Sequence, residues 1–167
     1  MLRLQGEQVE SLWDEVLPVE VRELPRDLAQ IDEALRDLRL LEPIVALWRE
    51  TTPVGLVEGR PTIAMGMYVR LMVLKQRHGW GYETLMREVS DSLHLRRFCG
   101  ISIDQRVPDE STVRKMTRRL GAETVAQISR NLIAKAERET RFRARAVRID
   151  STVVEHEPGA IDTTLGY

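Results

Sequence analysis

Residues 61–79 hold a helix-length run with almost no polar side to show to water. Ile63, Met65, Met67, Val69, Leu71, Met72, Val73 and Leu74 leave little polar circumference, and a helix that is apolar nearly all round is a buried one. Pro61 suits its first turn and Gly79 its stop. The spacing predicts a rod of roughly 25 Å, at about 1.5 Å per residue. Other elements have to wrap around it, and they too read as helices. Val9, Leu12, Trp13 and Val16 recur at helical spacing before Pro18. Pro25 and Asp27 open a helix carrying Leu28, Ile31, Leu35 and Leu38, and a short one with Ile44, Leu47 and Trp48 follows Pro43. The stretch 51–61, with two prolines and two glycines, reads as a loop.

Past the apolar rod, residues 81–89 predict a short helix with Leu85, Met86 and Val89 inward. Asp91 is placed as the cap of another, with Leu95 and Phe98 inward and Arg96 and Arg97 outward. The segment 106–121, RVPDESTVRKMTRRLG, is more telling. Pro108 and Asp109 form a helix start and Gly121 a stop. Val113, Met116, Thr117 and Leu120 share one side of the wheel. Arg114, Lys115, Arg118 and Arg119 share the other, with Ser111 one turn earlier. A face like this is either solvated surface or a seat for a polyanion. No acid lies between Arg114 and Leu120, which favours the polyanion, DNA above all. The run of short helices ending in a basic one resembles a loose helix-turn-helix, without its tight turn.

Residues 121–140 predict a long helix with Val125, Ile128, Leu132, Ile133 and Ala136 inward and Arg130, Lys135 and Arg138 outward. Arg141, Arg143, Arg145 and Arg148 extend the positive field. The period then changes: AVRIDSTVVE is rich in Val, Ile and Thr and reads as a strand, alone or as part of a hairpin. Asp150 stands in its middle, where a carboxylate needs a cationic partner. Two are open: Arg148 on the same face, or a divalent metal.

Charge sharpens this picture. The chain of 167 residues has a net charge of −1, but residues 1–58 hold thirteen acids and six bases while the remainder holds thirteen acids and nineteen bases. An acidic front and a basic back accompany nucleic-acid binding. The single cysteine, Cys99, excludes an internal disulfide, suits a reducing compartment and reads as a buried structural thiol. His78 has no second His or Cys at ligand spacing. Neither a signal-peptide pattern nor an apolar run long enough for a bilayer occurs, so the expectation is a cytoplasmic protein.

The order of these pieces carries a resemblance. A GRP-led buried helix, GYETLMREVSDSLHLRRFCGI, VPDESTVRKMTRRLG, a long helix and VRIDSTVVE together resemble the N-terminal region of bacterial insertion-sequence transposases of the DDE type, the InsH-like or DUF772 class. The match spans about residues 60–155. The resemblance implies three parts: an acidic helical leader over 1–58, a helical DNA-binding domain over 59–140, and the start of an RNase H-like catalytic domain over 141–167. The fold expected is mainly α, a multi-helix bundle followed by a short strand or hairpin. By resemblance, Asp150 is the first carboxylate of the catalytic triad and a metal ligand, with Mg2+ as the ion of a complete catalytic domain. The family's second Asp and its Glu lie farther along than Tyr167, so a truncated copy, inactive in strand transfer by itself, is the expectation. Transposon-end DNA is the implied partner, and self-association is compatible; no membrane and no small-molecule substrate is implied. Ser111, Arg114, Lys115, Arg118, Arg119, Arg96 and Arg97 are the DNA-contact residues expected from the helical wheels. The alternatives are a DNA-binding regulator, or a self-association module, without enzymatic activity.

Overall fold

The computed structural model describes residues 1–5, 16–52 and 62–140, apart from the side chains of 133 and 136–140. Among these the secondary structure is helical throughout: α1 (Val19–Arg22), α2 (Arg26–Leu35), a 3-10 turn (Leu38–Leu41), α3 (Glu42–Thr51), α4 (Met65–His78), α5 (Tyr82–Asp91), α6 (Leu93–Phe98) and α7 (Glu110–Thr140). The mainly α expectation holds for this part of the chain. Asp150, the strand around it, the four arginines at 141, 143, 145 and 148, the loop over 53–61 and nearly all of the helix expected over 6–17 lie outside the described residues.

The apolar rod is α4, with Met65, Tyr68, Val69, Leu71 and Leu74 buried. It begins at Met65 rather than at Pro61, and the reason lies at the start of the chain. The carbonyls of Arg3 and Leu4 accept from the N–H groups of Met65 and Gly66 at 2.8 Å, and Met1 accepts from Thr62 at 2.9 Å. The first residues thus supply acceptors that an extra helical turn would otherwise provide. The approach is close: a Cβ on Gly66 would stand 3.3 Å from the Leu4 carbonyl oxygen. At the other end Gly79 turns left-handed (φ 66°), and Trp80 N–H reaches the Lys75 carbonyl at 3.1 Å.

Around this rod, α7 is the second organising element, touching α2, the 3-10 turn, α3 and α5. One hydrophobic cluster runs from Leu28 through Ile44, Trp48, Leu71, Leu85 and Val113 to Ile128. The acidic and basic parts of the sequence therefore share a single core across residue 58. Polar bonds reinforce the joint. Arg70 on α4 donates to Asp32 on α2 at 2.7 Å, with both side chains largely buried. Arg77 pairs with Asp27. Lys135, expected on the outer face of the last helix, is instead buried; its ammonium donates to the Ala34 carbonyl at 3.0 Å and lies 3.5 Å from Asp37. A long stem let this residue reach across to α2 from a face that the wheel alone made outer.

One local expectation changes and one holds. Ser92, not Asp91, caps α6: its hydroxyl accepts from Leu95 N–H at 3.3 Å, while Asp91 closes α5. Gly121 does end the first helical stretch, as expected: its backbone (φ 74°, ψ 162°) is non-helical, and a second stretch begins beyond the kink. That conformation is essentially closed to residues with a Cβ.

Candidate nucleic-acid interface

The first half of α7, residues 110–120, splits as the wheel predicts. Val113, Met116 and Leu120 are buried, whereas Ser111, Arg114, Lys115, Arg118 and Arg119 are exposed. Thr117 fixes the helix's rotation. Its hydroxyl accepts from Tyr68 Oη on α4 and from Tyr82 Oη on α5, each at 3.0 Å, and donates to the Val113 carbonyl at 3.1 Å. A hydroxyl can make one donation and two acceptances, so Thr117 is saturated. Burial pushes the Tyr68 hydroxyl's pKa up, against the opposing pull of its bond to Thr117, and the net rise keeps it a neutral donor. The rotation of α7, and hence the direction of its cations, is set by two hydrogen bonds that join three helices at Thr117.

The cations are not equivalent. Lys115 and Arg118 make no ion pair, hydrogen bond or ring contact among the described residues. Arg114 is 3.5 Å from Glu110, a loose i,i+4 contact, and its guanidinium carbon lies 5.3 Å from the centre of the Tyr82 ring. Arg119 lies over the Trp48 ring at 4.1 Å and donates to Thr52 Oγ1 at 3.3 Å. A ring attracts a cation without cancelling its charge. Three acids of the front half, Asp32, Asp27 and Asp37, are occupied elsewhere, with Arg70, Arg77 and Lys135. With Glu110 the one acid paired to the ridge among the described residues, the ridge keeps a positive field.

Arg96 and Arg97 were expected to join this surface. Arg97 is half-buried. Arg96 is turned inward, only 9% exposed. One of its guanidinium nitrogens gathers the carbonyls of Ser102 (2.9 Å), Ile103 (3.3 Å) and Gln105. Its Nε is buried without a hydrogen-bond partner. The outward placement of Arg96 is thus overturned: α6 is six residues long, and the loop after it folds back over the guanidinium. That loop delivers the chain to α7. At the junction, Asp109 accepts through its carbonyl from Thr112 and Val113, while its carboxylate lies 3.3 Å from Arg106. The connection between α6 and α7 runs over residues 99–109, longer than the tight turn of a helix-turn-helix.

Cys99 is a packing residue, 1% exposed, and burial drives its thiol pKa far upward. Wheel reasoning missed Lys75, whose ammonium lies 4.9 Å from the Tyr82 ring centre, and the roles of Tyr82, Trp48 and Thr117. A tyrosine two residues after Gly79-Trp80, opposite a basic helix end, was the available signal.

A family model described as "Transposase domain (DUF772)" matches residues 20–119. The chain belongs to the DUF772 transposase-domain family. No curated protein and no solved structure matches it. The match supports the reading of an N-terminal region of an insertion-sequence transposase. It takes in α2 and α3, which lie within residues 1–58, and it ends at Arg119, the last cation of the ridge. The inclusion agrees with the shared core. This transposase-domain chain contains, among the described residues, no helix long and apolar enough to cross a membrane.

Proposed function

We propose that the ridge of Arg114, Lys115, Arg118 and Arg119 binds DNA phosphates, and that the chain is the end-binding part of an insertion-sequence transposase. The observation that carries this reading is a row of exposed cations on a helix whose rotation is locked by Thr117, two of them with no protein partner among the described residues. Membership of a transposase-domain family supplies the context. Phosphate contacts of this kind provide affinity and register rather than sequence readout. Ser111, near the start of the same helix, is placed to add a neutral hydrogen bond to the backbone.

Strand cleavage and transfer belong, in this proposal, to the segment around Asp150 together with further carboxylates and Mg2+. Among the described residues no group of three or more His, Cys, Asp or Glu could hold the ion. The DNA reading is tested by fluorescence anisotropy with a labelled duplex at increasing salt. Double-stranded DNA binding should weaken linearly in log–log form. The variant Arg114→Ala/Arg118→Ala should flatten that slope by about two units, one for each lost phosphate contact. An unchanged slope and affinity in that variant would overturn the reading.

A further inference from the structure

Tyr82 sits where α4, α5 and α7 meet, and two cations from two different helices lie against its ring. Lys75 Nζ, from the last turn of α4, is 4.9 Å from the ring centre, and Arg114 Cζ, from α7, is 5.3 Å from it. The Tyr82 hydroxyl is meanwhile tied to Thr117 at 3.0 Å, so the ring cannot swing away. This arrangement sets two like charges against a single ring. Among the described residues Lys75 has no carboxylate partner, and the one acid paired with Arg114 is Glu110, at 3.5 Å. The ring's quadrupole tethers both cations while leaving their charge intact. A phosphodiester is the ligand that suits such a pair: it brings the missing negative charge and several strong acceptor oxygens.

We infer that Lys75, Tyr82 and Arg114 form a phosphate-binding subsite, so that the DNA backbone runs off α7 onto the C-terminal end of α4. The inference rests on the DNA reading above and extends the contact surface beyond a single helix. In it Lys75 and Arg114 contact phosphate, and Tyr82 is a positioning residue that fixes where the two cations stand. The mirror arrangement at the other end of the ridge, Arg119 over Trp48 at 4.1 Å, gives the track two ring-anchored ends with Lys115 and Arg118 between them.

The test uses the full chain and a labelled duplex of arbitrary sequence, with salt titrations of Lys75→Gln, Lys75→Arg, Tyr82→Phe, Tyr82→Leu and Arg118→Ala. Circular dichroism melts show which variants are folded at the assay temperature. Lys75→Gln should lower the log–log salt slope by about 0.9 and the affinity roughly eightfold at 0.1 M salt, which is one lost phosphate contact. Lys75→Arg should restore both. Tyr82→Phe, which keeps the ring, should bind more tightly than Tyr82→Leu, which frees both cations; a mere loss of stability would not sort the two by ring, since both lose the hydroxyl. If Arg118→Ala lowers the slope and Lys75→Gln does not, the subsite is wrong while the DNA reading stands. If neither lowers it, or the wild-type chain does not bind the duplex, both are overturned.

Discussion

Arg96 and Arg118 are both arginines on basic helical segments, and the fold uses them in opposite ways. Arg118 is exposed and without a partner among the described residues, whereas Arg96 is spent on holding the carbonyls of Ser102, Ile103 and Gln105. The difference was not legible from the wheel, because nothing in a six-residue helix tells where its following loop will return. It has a measurable consequence. Arg96→Met should lower stability by about 1.5–3 kcal/mol, the scale of hydrogen bonds to a charged group, as read from the urea midpoint. It should leave the salt slope of DNA binding unchanged, since no phosphate contact is removed. Thr117 makes the complementary case. Thr117→Val strips the acceptor from two tyrosine hydroxyls, one of them on the 1%-exposed Tyr68, and should cost about 1–3 kcal/mol. Thr117→Ser keeps the hydroxyl and should recover most of it. A Val variant as stable as wild type would show that the hydroxyl does not fix α7.

At the scale of elements, the apolar period and the glycines carried most of the fold. The burial of α4 and the two-sided character of residues 110–120 were readable from side-chain order alone, because both depend on periodicity within one helix. The expectations that failed depended on partners distant in sequence. The start of α4 is set by the carbonyls of Arg3 and Leu4, and the inward reach of Lys135 by the Ala34 carbonyl and Asp37. Gly121 was read correctly as the break between two helices, since a glycine at that place marks a backbone conformation outside the helical region. Nothing lies within 4 Å of a Cβ built at Gly121, so Gly121→Ala would meet no neighbour. The cost is purely torsional, about 1–3 kcal/mol for holding a non-glycine residue there. A melt of this variant should show a clear loss; an unchanged melting temperature would mean that the kink relaxes freely.

Over the whole molecule, the division of charge along the sequence becomes a set of pairings between its two halves. The acids Asp27, Asp32 and Asp37 of the front half take up Arg77, Arg70 and Lys135, and the cations of α7 are left facing solvent. The asymmetry was readable in the sequence; which bases would be neutralised was not, because that depends on how α2 lies against α4 and α7. The pairing makes stability acid-sensitive. The Arg77 hydrogen bond lowers the Asp27 pKa, and the Arg39 backbone N–H, helped by Lys135, lowers that of Asp37. Both carboxylates are depressed in the folded state, so their contribution is fully present above the ordinary value of about 3.9 and is lost as pH falls through the folded values. Urea midpoints should therefore decline below about pH 4, and Asp37→Asn should flatten that decline. The shared core has one more implication, for anyone who would dissect the chain. A piece beginning after residue 58 would leave Arg70, Arg77 and Lys135 stripped of their counter-ions along with the exposed apolar side of α4. Such a piece would stick to any nucleic acid offered, and its adhesiveness would be mistaken for recognition.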